Sequence, residues 1–250
     1  MSSDLPSSIP QLPLTGAPLR VLGVIPARGG SKGIPRKNIR LLAGKPLLQY
    51  TAEAALAAKR LTRIVLSTED EEIAEVGRKC GLEVPFTRPL ELARDDTPTL
   101  PVLQHAVRML EQTNDHFDAV FILQPTNPLR RPADIDGAID LLGFTGADSV
   151  ISFVDVGDRH PARMKFIGPD GRVLDPPFAE TFEGQRRQDL PKVFLREGSV
   201  YVTKREVLMD RNSIKGSDCR AWIIPPELAC NIDTELDWCF AEQRLKQLTT

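Results

Sequence analysis

At 250 residues the chain is long enough for one α/β domain with a substantial core, or for two small ones. Its formal net charge of -2 carries no nucleic-acid signal, and no run reaches the roughly 18 to 20 apolar residues of a membrane span. Four cysteines without CxxC spacing and only three histidines argue against zinc and for reduced thiols in a cytoplasmic protein.

Residues 1–18, MSSDLPSSIPQLPLTGAP, lack a cationic start and a continuous apolar stretch, so they read as a disordered tail rather than a signal peptide. Residues 19–250 then form a single domain. Val21, Leu22, Val24 and Ile25 make an apolar run short enough for a buried strand, bounded by Pro26. In the following loop Arg28, Lys32, Arg36 and Lys37 alternate with Gly29, Gly30 and Gly33. Glycines let backbone amides approach one anion while long cationic side chains close around it, which is what holding a polyphosphate requires. Neither GxxxxGK[ST] nor GxGxxG is present, so this is a different phosphate loop.

Gly44 and Pro46 mark a turn, after which Leu47, Leu48, Ala52, Ala55 and Leu56 fall at helical spacing. RIVLST (63–68) is a β-branched strand, and EDEEIAEVGRKC (69–80) is a helix with acids in its first turn and Gly81 as its stop. Strand, helix, strand, helix predicts a parallel sheet covered on both faces. Next, 83–110 passes from a short strand at EVPF through a proline-marked loop, flanked by Arg88 and Thr99, into a helix. DAVFIL (118–123) is another buried strand; it opens into Gln124, Thr126, Asn127 and Arg130, beyond a strand's carboxyl end, where open α/β sheets bind ligands.

ADIDGAIDLLGFTGADSVISFVDV (133–156) gives a helix and a strand, and PDG (169–171) is a tight turn between two short strands of a β excursion. His160, followed by Pro161 and with no serine or cysteine nucleophile pattern nearby, reads as a loop residue. Arg186, Arg187, Arg196 and Tyr201 come next; the planar fork of arginine suits a carboxylate. AWIIP (221–225) is a short strand, and a helix starts at Thr234 with Asp233 or Thr234 as its cap.

IPARGGSKGIPRKN (25–38) resembles the signature of the cytidylyltransferases that activate sialic acid and related nine-carbon keto sugars. Further similarities follow in that family's order, to about Leu245. RPLELA (88–93) resembles its RPxELA, and QPTNPLR (124–130) its QPTSPLR, with Asn127 in place of serine. RQDLPKVFLREGSVY (187–201) resembles RQxLPxxxxxNGxxY, with Glu197 in place of asparagine, and NIDTELD (231–237) resembles DIDTELD, with Asn231 in place of an aspartate.

The resemblance implies a Rossmann-like three-layer α/β sandwich with a mainly parallel sheet. It also implies a homodimer, in which a small β excursion, approximately 158–222, crosses to the partner's site. The implied reaction moves CMP from CTP to the anomeric hydroxyl of the keto sugar, with Mg²⁺ as cofactor. Arg28 and Lys37 are the implied catalytic residues, since phosphoryl-type transfer needs charge neutralisation more than covalent chemistry. Ala27, Ser31, Lys32, Asn38, Arg88 and Thr99 complete the implied CTP site, with Arg88 and Thr99 at the base. Gln124, Thr126, Arg163, Arg187, Arg196 and Tyr201 are the implied sugar contacts, Arg187 being first choice for the carboxylate. Asp233 and Asn231 are the implied metal positions, Asp237 lies one helical turn on, and no general base stands out. Two alternatives stay open: another sugar nucleotidyltransferase, whose GxGTRL-like loop is not found here, and a non-catalytic nucleotide-binding protein, which Asn231 motivates.

Overall fold

A computed structural model describes residues 18–31, 33–182 and 184–248. The expected tail, 1–18, therefore lies outside the described residues except for Pro18. Strand β1 (Val21–Pro26) starts the domain, and the basic loop leads from it to a hairpin of β2 (Leu41–Leu42) and β3 (Lys45–Pro46). Ala43 and Gly44 make its two-residue turn, with φ of 45° and 86°, the paired positive values that a tight hairpin of native twist requires. Then come α1 (Leu47–Ala57), β4 (Arg63–Ser67), α2 (Glu71–Lys79), α3 (Thr99–Glu111) and β5 (Ala119–Ile122). The chain continues through α4 (Pro132–Thr145), β6 (Ser149–Asp155), β7 (Phe166–Ile167) and β8 (Val173–Leu174). It closes with β9 (Phe194–Lys204), α5 (Arg205–Met209), β10 (Cys219–Ile223) and α6 (Glu235–Leu248).

The central sheet has six strands in the order β10-β6-β9-β5-β1-β4. All neighbours run parallel except β9, which is antiparallel to both β5 and β6. Alternation along β1 builds the layers. Val21 and Ile25 pack with Leu48 and Ala52 of α1 and Ile135 and Leu142 of α4, while Leu22 and Val24 pack with Leu103, Val107 and Leu110 of α3 and Leu208 of α5. The expected three-layer α/β sandwich with a mainly parallel sheet is therefore the observed fold. A third apolar cluster joins Ile34, from the middle of the basic loop, to Leu42, Leu47, Ile232 and Trp238 of α6. It fastens the loop to the C-terminal segment.

Local expectations shift in four places. Helix α2 begins at Glu71, not Glu69, because Asp70 is its cap and accepts from the Ile73 amide at 3.0 Å. EVPF makes only a single bridge, Val65 to Glu83, since Pro85 and Pro89 deny a ladder its donors. The expected strand at AWIIP starts earlier, at Cys219, and stops before Pro225. The expected excursion, 158–222, is shorter in the fold: β9, α5 and β10 belong to the main body, leaving roughly the chain before β9, with the β7–β8 hairpin, outside the sheet.

Candidate active site

Because β1, β4 and β5 run parallel, their carboxyl ends share one edge of the sheet, and a cleft of about 450 Å³ opens there. Ten expected site residues line it: Arg28, Ser31, Lys37, Asn38, Arg88, Thr99, Gln124, Thr126, Asn231 and Asp233. Lys32 lies outside the described residues. Ala27 is buried behind the wall, where its amide donates to the Ser67 carbonyl at 3.0 Å and anchors the start of the loop.

The loop is cross-braced from both sides. Asn38 Nδ2 donates to the Arg28 carbonyl at 2.9 Å, and Lys37 Nζ donates to the Ile232 carbonyl at 2.8 Å while lying 3.3 Å from Asp233 Oδ1. At Gly33 a Cβ would stand 2.5 Å from the Asp233 carbonyl oxygen, so glycine is what lets the basic loop touch the Asp233 turn. Arg28 pairs with Asp95 at 2.8 Å across the cleft. Opposite, Arg88 is 3% exposed and its guanidinium donates to the Ser67 hydroxyl at 3.2 Å and to the Ser67 carbonyl. Burial holds that guanidinium below its usual range; Glu69 opposes the shift and Arg28 adds to it. Thr99 opens α3, with no side chain capping the helix there.

Asn231 and Asp233 precede α6. Asp237 accepts from the amides of Asp233 at 3.0 Å and Thr234 at 2.8 Å, and Thr234 Oγ accepts from the Asp237 amide at 3.3 Å. That reciprocal pair makes Thr234 the cap, and Asp237 serves the turn. The side-chain amide of Asn231 donates to the Asp233 carboxylate instead of capping the helix, so its oxygen stays available to a cation. Among the described residues no group of three or more His, Cys, Asp or Glu could hold a metal. A cation at Asp233 and Asn231 therefore needs ligands from outside the protein, as magnesium accepts from phosphates and water.

The expected sugar contacts divide. Gln124 and Thr126 line the cleft; Arg163, Arg187, Arg196 and Tyr201 do not. Arg163 pairs with Glu180 at 3.1 Å and Arg187 with Asp158, both on the excursion, and Arg196 is exposed on β9. Tyr201 packs half-buried against the α3 side of the core, where burial, foremost, raises its hydroxyl pKa.

Below Gln124 lies a buried polar floor. The β6–β9 register slips between Ile151 and Phe153, and Ser152 Oγ fills the irregularity, donating to the Glu197 carboxylate at 3.0 Å and accepting from the Val200 amide at 2.9 Å. Glu197 also accepts from the Ser199 amide at 2.7 Å and hydroxyl at 2.8 Å. Asn127 approaches the same Ser199 hydroxyl at 3.3 Å, and its other amide atom, Nδ2, has no partner. The two departures noted separately in the sequence, Asn127 and Glu197, thus meet at one serine. Arg130, fully buried, donates to the carbonyls of Ser199 at 2.7 Å and Gln124 at 2.8 Å and to the Thr51 hydroxyl at 3.1 Å. Burial lowers its guanidinium to about 10, with Glu197 and Asp134 opposing.

Sequence reading missed Glu69, Asp70 and Asp95. Glu69 accepts from the Gly29 amide at 2.7 Å, Asp70 pairs with Arg36, and Asp95 pairs with Arg28. The available signal was a run of acids at the carboxyl end of the strand beside a basic loop.

Residues 22–162 match the family described as Cytidylyltransferase. The chain is 31% identical to the CMP-N,N'-diacetyllegionaminic acid synthase of Legionella pneumophila, over 91% of this chain and 97% of that protein. It is 34% identical to the pseudaminic acid cytidylyltransferase of Campylobacter jejuni, over 90% of this chain and 95% of that one. A solved CMP-2-keto-3-deoxy-manno-octonic acid synthetase in complex with CTP superposes with a TM-score of 0.67 at 17% identity, covering 92% of this chain and 99% of that one, which marks a common fold.

Proposed function

This chain belongs to the cytidylyltransferase family, and we propose that it transfers CMP from CTP to the anomeric hydroxyl of a nine-carbon keto acid sugar, releasing pyrophosphate. The observation that supports this most is the meeting of Arg28, Lys37, Asn38, Arg88 and Asp233 in one cleft. The sugar oxygen attacks the α-phosphorus, the bond to the β-phosphate bridging oxygen breaks, and the hydroxyl proton passes to solvent. Arg28 and Lys37 offset the charge that grows on the departing phosphates. To do so Arg28 exchanges Asp95 for phosphate oxygens. Asn38 keeps the loop backbone open by holding the Arg28 carbonyl.

Arg88 and Thr99 face the cytosine, whose acceptors suit a cation and whose exocyclic amine distinguishes it from uracil. A uracil turns that donor into an acceptor and mispairs buried groups. Purified protein given Mg²⁺, a panel of keto sugars and either CTP or UTP should release pyrophosphate with CTP, and at least about tenfold more slowly with UTP. Equal rates, or none with any sugar, reject the reading.

Mg²⁺ is the proposed cation, held by Asp233 and Asn231 and supplying neutralisation of the triphosphate when bound. Asn231→Asp adds a charge there and should lower the Mg²⁺ concentration for half-maximal rate. Identical half-saturation in variant and wild type removes Asn231 from the metal site.

A homodimer completes the proposal. Phe166, Ile167, Val173, Leu174, Phe178 and Phe182 are all exposed on the excursion. An apolar patch of this kind favours burial against a second copy, which would bring Arg163, Arg187 and Arg196 towards the partner's Gln124 side. Sedimentation showing a monomer at micromolar concentration removes that part. A CTP-dependent reaction and four free cysteines fit a cytoplasmic setting.

A further inference from the structure

We propose that Glu69 is a positioning residue that fixes the base-facing arginine and the phosphate loop at one separation, so that nucleobase choice and turnover are set together. The role rests on the CTP reading above. The carboxyl end of β4 already serves both subsites through its backbone. The Ser67 carbonyl accepts from the Ala27 amide and from the Arg88 guanidinium, and the Thr68 carbonyl accepts from the Arg88 amide at 2.9 Å.

Glu69 adds a side chain to that clasp. One carboxylate oxygen, Oε1, accepts from the Gly29 amide at 2.7 Å, next to Arg28. The other, Oε2, is enclosed without a hydrogen-bond partner and lies 4.0 Å from Nη1 of Arg88. The side chain is only 11% exposed and stands behind the cleft wall, so it acts through Arg88 and Gly29 and does not touch a nucleotide. An enclosed carboxylate oxygen without a donor is unfavourable unless a cation answers it, and Arg88 is the cation within reach. Arg28 and Arg88 face one cleft, and Arg28 disfavours the charge on Arg88; Glu69 offsets this at the base end.

Its position just before α2 permits this. With Asp70 capping the helix, Glu69 is left outside it, free to turn towards the loop. Asp70 stands beside it: a Cβ on Gly29 would come 2.4 Å from an Asp70 carboxylate oxygen, so the two acids close on the loop at one glycine.

Glu69→Gln and Glu69→Ala separate the two contacts, because glutamine keeps an acceptor for Gly29 and loses the charge facing Arg88. In both variants the ratio of kcat/KM for CTP over UTP should fall about tenfold, while the KM for the sugar stays within about twofold. The fall in kcat should be larger for alanine, which releases Gly29 as well. A role confined to stability lowers the active fraction for both nucleotides alike and leaves their ratio untouched. If the alanine variant does not fold, the near-isosteric glutamine variant carries the test. A CTP-selective wild type beside variants of unchanged ratio overturns the role of Glu69 alone. Calorimetric titration of the wild type with CTP, taken with its turnover, separates the other failure: neither binding nor turnover overturns the CTP reading and this role with it.

Discussion

Arg28→Ala and Lys37→Ala should each fold and each lose roughly a hundredfold in kcat, about 3 kcal/mol of transition-state stabilisation. Both cations line the cleft, and neither is part of an apolar core cluster, so their loss does not open a cavity in the core. The expected loss falls on kcat because the charge they meet is larger on the departing pyrophosphate than on bound CTP. The two should differ in detail. Arg28 pairs with Asp95, and on the proposed reading it exchanges that partner for phosphate; its removal would then also leave Asp95 facing the triphosphate, and Arg28→Ala should weaken CTP binding more. Lys37 also holds the Ile232 carbonyl, so Lys37→Ala loosens the Asp233 turn and should raise the metal requirement. Steady-state kinetics with both variants checks this; turnover within threefold of wild type in both removes them from the chemistry.

The largest stability effect is expected at Arg130. Its guanidinium makes three hydrogen bonds in full burial, two of them to the backbone of the segments that form the cleft floor. Arg130→Ala takes a donor from the Gln124 and Ser199 carbonyls, the first of which keeps longer bonds from the Asn127 amide at 3.4 Å and the Thr51 hydroxyl at 3.5 Å, and it leaves the Glu197 carboxylate without its nearby opposite charge. Removing one partner from such a buried set typically costs about 3 to 5 kcal/mol. For a chain of this size that lowers the melting midpoint by roughly 10 °C. Adding Glu197→Gln should recover part of the loss, because the uncompensated charge is then gone as well. Chemical denaturation of the two single variants and the double variant measures the coupling; strict additivity would show that Glu197 and Arg130 are independent.

Much of the cleft lining was legible in the sequence, because its signals are local. Val21 to Ile25 followed by glycines and cations fixes a strand and a loop within eighteen residues, and Gln124 follows its strand directly. Parallel pairing then brings the strand ends together without further information. What escaped the sequence depends on partners far apart along the chain. Glu69 looks like the first turn of a helix until the cap at Asp70 is seen. Asn127 and Glu197 look like unrelated substitutions until a register slip in β9 places both on Ser199. Strand β9 itself reads as part of an excursion because a single antiparallel strand inside a parallel sheet has no distinct period. The sugar arginines stay unassembled for a related reason: the chain that is proposed to complete their site is a second copy.

The fastening of the basic loop to the segment before α6 also sets an order of events during folding. Lys37 and the Ile232 carbonyl it holds are 195 residues apart in sequence. Closing a loop of that length is entropically costly and gives nothing back until the sheet between its ends has formed. A nascent chain can therefore build β1, β4 and β5 with their helices well before Ile34 finds Trp238, and through that interval the cationic loop has no floor. The cleft is therefore complete only once the segment at Asn231 to Asp233 has docked, and a chain stopped short of that segment lacks one of its walls.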